Sequence, residues 1–298
     1  MGDAQQTPGS DGLYSRLVAI LGPEGVLEDE WSRRFYSTDI YSGGGVATCV
    51  IRPRTSQDLA AAVRVATGAG YSVIGRGGGT SYTGGIVPDR ERAVIVDTSG
   101  LDRILDINGD DMFVTVEAGV TWAALHAALR DTGLRTPYWG PFSGGQATIG
   151  GSVSQHSILW GSTGNDISAA SVLGLEVALA DGSLLTTGSA GWGAKPFFRN
   201  FGPDLTGLFL GDSGALGIKT RVTLRLVQRP AVVRMASFNF TERAAMSRAM
   251  AAIARAGVAA TCFGMDPVLQ YQRVKRATAL QGARSLKGLI ANADNTFT

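Results

Sequence analysis

The run Gly75-Arg76-Gly77-Gly78-Gly79-Thr80-Ser81-Tyr82-Thr83-Gly84-Gly85 carries the clearest potential for chemistry in this 298-residue chain. Backbone without Cβ atoms takes positive φ and approaches a ligand closely. Successive N–H groups in such a turn form a nest that attracts phosphate oxygens. Arg76 adds charge, and Thr80 and Ser81 add hydroxyls. The ligand that fits is a diphosphate, which points to a nucleotide cofactor. A Walker A loop needs Gly-Lys-Ser/Thr opening a helix, and no lysine is present here. A Rossmann fingerprint needs its third glycine inside a helix and an acidic residue about 20 residues later. Instead Gly84-Gly85-Ile86-Val87-Pro88 follows, which does not start a helix easily. A glycine hairpin with no ligand is the plainer alternative, because glycine clusters mark turns more often than sites.

Two further glycine clusters follow, Pro141 to Gly151 and Gly211 to Gly217. Of the two histidines, His126 shares a helix with Trp122 and Leu129 and reads as structural, while His156 is the other titrating candidate. Cys49 and Cys262 lie outside any CxxC pattern and read as buried thiols rather than a bridge. No metal site is expected, and no catalytic base is named by the sequence.

The elements that must position these residues alternate. Cys49 to Arg52 reads as a strand; Thr55-Ser56-Gln57-Asp58 then opens a helix in the manner of a capping box. Leu59, Val63 and Ala66 recur at helical spacing until Gly70, and a strand follows over Tyr71 to Ile74. The first glycine loop thus lies at the carboxyl end of a parallel strand, where α/β proteins bind ligands. Ala93 to Asp97 is apolar enough for a strand covered on both faces. Met112 to Glu117 is another strand, and Thr121 caps a helix that Gly133 closes. The second cluster is expected to be long and irregular. Val172 to Ala180 and Leu184 to Thr187 form a hairpin about Asp181-Gly182. From Ile218 to Leu226 the alternation predicts an antiparallel strand, with Lys219, Arg221 and Arg225 on its wet face.

Arg229-Pro230 reads as a boundary. Beyond it, a strand over Val232 to Phe240, a helix over Thr241 to Ala256, a strand over Ala260 to Phe263 and a helical stretch to Ile290 begin a second α+β domain. The division is therefore 1–40, a polar lead and helix; 41–230, the ligand-binding domain; and 231–298, a partial second domain.

Composition excludes several classes. Hydrophobic residues at 44% and charged residues at 17% describe a globular chain. A formal charge of +2 is too small to argue for nucleic acid or an anionic membrane. No run approaches the ~18 apolar residues of a membrane span. The polar start, Met1 to Ser10, has no signal-peptide pattern. Cytoplasmic residence is the expectation. Glycine, 41 of 298 residues, is roughly double its ordinary ~7% share.

Taken together, the clusters and their flanks resemble the vanillyl-alcohol oxidase/p-cresol methylhydroxylase (PCMH-type) family of FAD-binding proteins. The resemblance spans roughly residues 41–230. It rests on Arg76 to Ser81, Val116-Glu117-Ala118-Gly119-Val120, Thr148-Ile149-Gly150-Gly151, Val172 to Val177 with Ala180-Asp181-Gly182, and Gly214-Ala215-Leu216-Gly217-Ile218. It implies an α+β fold, with a PCMH-type FAD-binding domain of two α/β subdomains followed by the start of a ferredoxin-like cap. By position, it implies that Gly77, Gly78, Gly79, Thr80 and Ser81 hold the FAD diphosphate with Arg76 and Gly84 beside them; an exposed structural arginine is the alternative for Arg76. Phe142, Ser143, Thr148, Gly150, Gly151, Gln155 and His156 would pass along the ribityl chain and ring, His156 as a contact rather than a catalyst. Gly214, Gly217 and Ile218 would hold the adenosine end.

The implied chemistry is oxidation of an alcohol or 2-hydroxy acid by hydride transfer to flavin N5, with oxygen or another acceptor taking the electrons. A flavin-binding module inactive alone, such as half of a split enzyme or an electron-transfer subunit, is the alternative; non-redox use of FAD is a third. Many relatives attach FAD through a histidine at the first loop. Here Thr80-Ser81 stands there, so non-covalent FAD is expected. Ser213 stands where relatives often carry glutamate. Relatives also continue through a complete cap domain, which implies a fragment, a truncation, or a homodimer or partner subunit that completes the site. The remaining partner is a small-molecule substrate.

Overall fold

The computed structural model describes residues 10–272 apart from 91, 164–167 and 201, together with residue 275. The chain divides into two compact units, Met1–Met235 and Ala236–Thr298.

The first unit contains two sheets. Strands β1 (Val26–Leu27), β2 (Cys49–Ile51), β3 (Ser72–Arg76) and β4 (Ala93–Asp97) form a sheet of order β1-β2-β4-β3. β2 and β3 both run parallel to β4. As its composition predicts, β4 is buried at every position. Its Val94 and Val96 pack with Leu59, Val63 and Ala66 of helix α3 (Ser56–Gly68) and with Leu13 and Leu17 of helix α1 (Ser10–Leu21). Ile95 turns to the other face, against Val50 and Ala47, because successive strand side chains alternate. Thr55 caps α3 by accepting the Asp58 N–H at 3.0 Å. Burial pushes the Cys49 thiol up to about 12, so this cysteine is an inert core residue.

The second sheet is antiparallel, of order β5-β6-β10-β8-β9, with β5 Ile104–Asn108, β6 Phe113–Glu117, β8 Val172–Ala178, β9 Leu184–Thr186 and β10 Ile218–Arg225. Its core joins Val114, Val116, Leu175, Val222 and Leu224 to Trp122 and Leu125 of helix α4 (Trp122–Ala128), and to Ile149 and Val153 of helix α5 (Ile149–Ser154). The ribbon of β7 (Leu134–Arg135) and β11 (Val227–Gln228) lies apart. Helices α2 (Glu30–Tyr36) and α6 (Leu205–Leu208) complete this unit. The two α/β halves are the subdomains implied by the PCMH-type resemblance.

The turn after β6 links the halves. Gly119 donates to the Leu101 carbonyl at 2.8 Å, and Ala118 donates to the Thr220 carbonyl at 2.9 Å. A Cβ at Gly119 would run into the carbonyls of Thr98 and Leu101. Fully buried Glu117 fixes the same turn by accepting the Arg103 backbone N–H at 2.9 Å and its Nη2 at 2.6 Å.

Three expectations are corrected. Lys219 is buried, not on a wet face. β10 is the middle strand of its sheet, and a register shift between Lys219 and Arg221 breaks the alternation, as a bulge does. Ile218 consequently joins the core beneath the first sheet while Val222 and Leu224 join the other. The second glycine cluster is not wholly irregular, since Thr148 caps α5 by accepting the Gly151 N–H. Finally, neither Val232 to Phe240 nor Ala260 to Phe263 forms a strand. Val232, Val233, Met235 and Phe238 stay exposed; strand-forming residues make a strand only where an edge pairs with them. Among the described residues the second unit holds helix α7 (Arg243–Ala256), closed by left-handed Gly257, and a helical stretch over 267–272. Most of the helical stretch expected up to Ile290 lies outside the described residues.

Candidate functional site

The three glycine clusters converge on one cleft of about 300 Å³. One wall is Gly77, Gly78, Gly79, Thr80 and Ser81, continuing from the end of β3 with Arg76. A second is Ser143, Thr148, Gly150, Gly151, Gln155 and His156; a third is Gly214, Gly217 and Ile218. Gly84 and Phe142 are outside the lining. The Gly84 N–H binds Asp39 at 2.8 Å, and the Phe142 ring packs edge-on to Trp160.

Backbone contact explains why the first wall lacks side chains. A Cβ on Gly77 would strike the Thr148 side chain, and one on Gly78 would strike the Gln146 carbonyl. Positive φ, 64°, falls on Gly79; Gly78 is needed for room rather than for its torsion.

α5 ties the walls together. Thr83 Oγ1 donates to Gln155 Oε1 at 3.0 Å, joining the first loop to the end of α5. Gly211 donates to the Val153 carbonyl and Ser213 to the Ser154 carbonyl, both at 2.9 Å, so the third loop hangs from the last turn of α5. His156 is exposed, with φ of 50°, and its ring lies against Gly211.

Among the described residues two cations line the cleft, Arg76 and Lys219, and no aspartate or glutamate does. Arg76 is not an exposed loop arginine; it is 7% exposed. Its Nη1 donates to the carbonyls of Tyr36 at 3.1 Å and Thr38 at 2.6 Å. Its guanidinium carbon lies 5.7 Å from the Phe35 ring centroid and 5.4 Å from that of Tyr36. Burial lowers its pKa, opposed by Asp97, but an arginine stays charged. Replacing Arg76 with Met leaves two carbonyls of the α2 exit unpaired. The expected cost is about 2 kcal/mol, measured by urea denaturation of the flavin-free protein.

Lys219 pairs with Asp212, and both are almost wholly buried. Asp212 also accepts the N–H groups of Gly214 at 3.0 Å and Leu216 at 3.3 Å. One carboxylate thus shapes the third loop and neutralises the lysine beneath it. Burial pushes the Lys219 ammonium below its usual range, and Asp212 opposes that shift.

Sequence reasoning missed these supports. Asp39 is the clearest, accepting from Tyr41, Ser42 and Gly84; its carboxyl is held at about 2, chiefly by the Ser42 N–H. Ile40 donates to the Ser81 carbonyl at 3.1 Å. The signal available was the Asp39 position itself, a turn-forming residue just ahead of Gly43-Gly44-Gly45.

This geometry suits a long ligand with a diphosphate in its middle: a side-chain-free wall, the buried charge of Arg76 and, among the described residues, no carboxylate in the lining. Residues 47–188 match the family model described as an FAD binding domain. The chain is 32% identical over 231 residues to a probable mitochondrial D-lactate dehydrogenase of Danio rerio, covering 76% of this chain and 44% of that one. It is 31% identical over 219 residues to the glycolate oxidase subunit GlcD of Bacillus subtilis (strain 168), covering 73% of this chain and 45% of that one. A substrate-bound p-cresol methylhydroxylase structure superposes with a TM-score of 0.67 at 20% identity, covering 76% of this chain and 45% of that one. The chain spans less than half the length of each of these proteins. It carries an FAD binding domain over residues 47–188, and its fold is the one seen in p-cresol methylhydroxylase. Among the described residues no helix is long and apolar enough to cross a membrane.

Proposed function

We propose that this chain holds FAD non-covalently in the cleft and serves in the oxidation of a 2-hydroxy acid. The observation that carries the reading is the meeting of three glycine-rich segments around Arg76 and Lys219 with, among the described residues, no carboxylate on the wall. The relatives named for D-lactate and glycolate support the substrate class.

In this reading the N–H groups of Gly77 to Ser81 would hold the diphosphate, and the field of Arg76 would favour its charge, Lys219 being neutralised by Asp212. Ser143, Thr148, Gly150, Gly151, Gln155 and His156 line the ribityl and ring end, with Phe142 shaping its rim. Gly214, Gly217 and Ile218 line the adenosine end, and Gly84 is the hinge that Asp39 fixes. Bound FAD supplies a hydride acceptor at flavin N5, which oxygen or another acceptor restores. The chain's contribution is orientation and charge. Thr80-Ser81 offers no imidazole for a covalent link. A cytoplasmic setting fits the reduced, buried Cys49.

Among the described residues the wall supplies His156 but no carboxylate, which favours a second reading: a flavin-binding module that turns over only with another segment, a second copy or a partner subunit. Anaerobic addition of D-lactate or glycolate to FAD-loaded protein separates the two. Bleaching of the visible flavin band by either acid is expected of a complete enzyme. Bleaching by dithionite but by neither acid refutes 2-hydroxy-acid oxidation by this chain and leaves the second reading.

A further inference from the structure

A second charged feature lies away from the cleft, where the β7–β11 ribbon meets α4. The pairs Val227↔Arg135 and Gln228↔Leu134, with the Arg229 N–H on the Gly133 carbonyl at 2.8 Å, carry Arg229 back to the start of β7. Its Nη1 donates to the Arg130 carbonyl at 3.3 Å. Arg135 and His126, the latter in the last turn of α4, line one small cavity with Thr136 and Trp139. That cavity shares no lining residue with the cofactor cleft.

Three arginines and a histidine therefore gather here, with Asp131 next to Arg130 in the sequence. Among the described residues no ion pair joins any of them to a carboxylate. Burial and then Arg229 and Arg130 push the His126 imidazole below its usual range, and burial and then Arg229 act likewise on Arg135. Part of this has a plain cause, since cations favour the carboxyl end of a helix such as α4. That accounts for Arg130 and for the Arg229 bond to its carbonyl. It does not account for Arg135. The Arg135 guanidinium is stacked 4.3 Å from the Trp139 ring centroid, and its Nε is shut off from solvent with no hydrogen-bond partner. A buried donor without a partner calls for an explanation.

We propose that this corner is a binding site for a phosphate-type oxyanion, held by Arg135 and Arg229 with Arg130 and His126 at its rim. Planar guanidinium forks suit a multivalent oxyanion, which they bind through parallel hydrogen bonds. Stacking on Trp139 holds one fork in place before the ligand arrives. The anion would also relieve the mutual repulsion of the four groups. The same chemistry serves a phosphorylated small molecule and a phospholipid headgroup.

The test uses FAD-loaded protein, so that the cofactor cleft is filled. Inorganic phosphate is titrated at low ionic strength while the imidazole signals of the two histidines are followed by NMR. The His126 pKa is expected to rise by about one pH unit at saturation, with His156 unmoved. Arg135→Gln and Arg229→Gln are each expected to weaken phosphate binding about tenfold; unchanged flavin content in either variant shows that the fold is intact, and one folded variant suffices. Cosedimentation with phosphatidylcholine vesicles, with and without phosphatidic acid, separates a headgroup from a free ligand. A response to either anion source that the substitutions remove supports the site. No His126 response and no binding to anionic vesicles overturns it, as do responses that persist unchanged in the variants.

Discussion

Gly78→Val is expected to abolish FAD retention while the two sheets remain folded. The new side chain would enter space held by the Gln146 carbonyl, with the Ala147 nitrogen 3.3 Å from its Cβ. Neither neighbour is the free end of a flexible side chain. The first loop must therefore lift from the second, and the wall that faces the diphosphate opens. Overpacking of this kind costs about 1–3 kcal/mol in the folded chain, small against loss of a preorganised anion nest. The loop lies outside the packed cores of both sheets, so circular dichroism should stay as in the parent chain. An FAD titration followed by fluorescence should show binding weakened by about 100-fold or more, equivalent to roughly 2.7 kcal/mol. Parent-like affinity in this variant would refute the role given to the first loop.

Asp212→Ala is expected to be the most destabilising single change, at about 3–5 kcal/mol, because it leaves Lys219 buried without its partner. For a unit of this size that corresponds to a melting temperature lower by roughly 10 °C. The pH dependence has a definite sign. Lys219 already has a folded pKa below its unfolded value because burial disfavours the charged form, and the variant loses the two Asp212 contributions that oppose burial. The unfolded chain then binds more protons between the two values, so stability rises with pH across that window. The deficit relative to the parent chain should be full near neutral pH and shrink as pH approaches 10. Adding Lys219→Met to Asp212→Ala should recover much of the loss, since no unpaired charge remains. A deficit independent of pH, or no recovery in the double variant, would show that the pair does not carry the third loop.

The glycine clusters were legible in the sequence because absence of side chains is itself a signal, and three such clusters in one order constrain a fold strongly. β4 was legible because a strand covered on both faces has no polar position to hide its period. The caps at Thr55 and Thr121 and the turn at Asp181-Gly182 were legible because local hydrogen bonding decides them. What stayed hidden depends on distant partners. Lys219 reads as a wet-face residue until the register shift beside it is known. Arg76 reads as a loop charge until the exit of α2 supplies carbonyls for it, from residues far earlier in the chain. Gly78 and Gly79 look interchangeable in sequence, yet one is fixed by a neighbouring carbonyl and the other by its torsion. The segment Val232 to Phe240 fails for a related reason, since its residue types favour a strand but no edge pairs with it.

The most direct test of the central claim, that three glycine-rich segments close on one FAD, is a visible absorption spectrum of purified protein supplied with FAD, taken before and after acid precipitation. A yellow protein that releases all its flavin into the supernatant is the predicted result. Colourless protein that takes up no FAD would contradict the shared cleft, and flavin that stays with the pellet would contradict non-covalent binding at Thr80-Ser81.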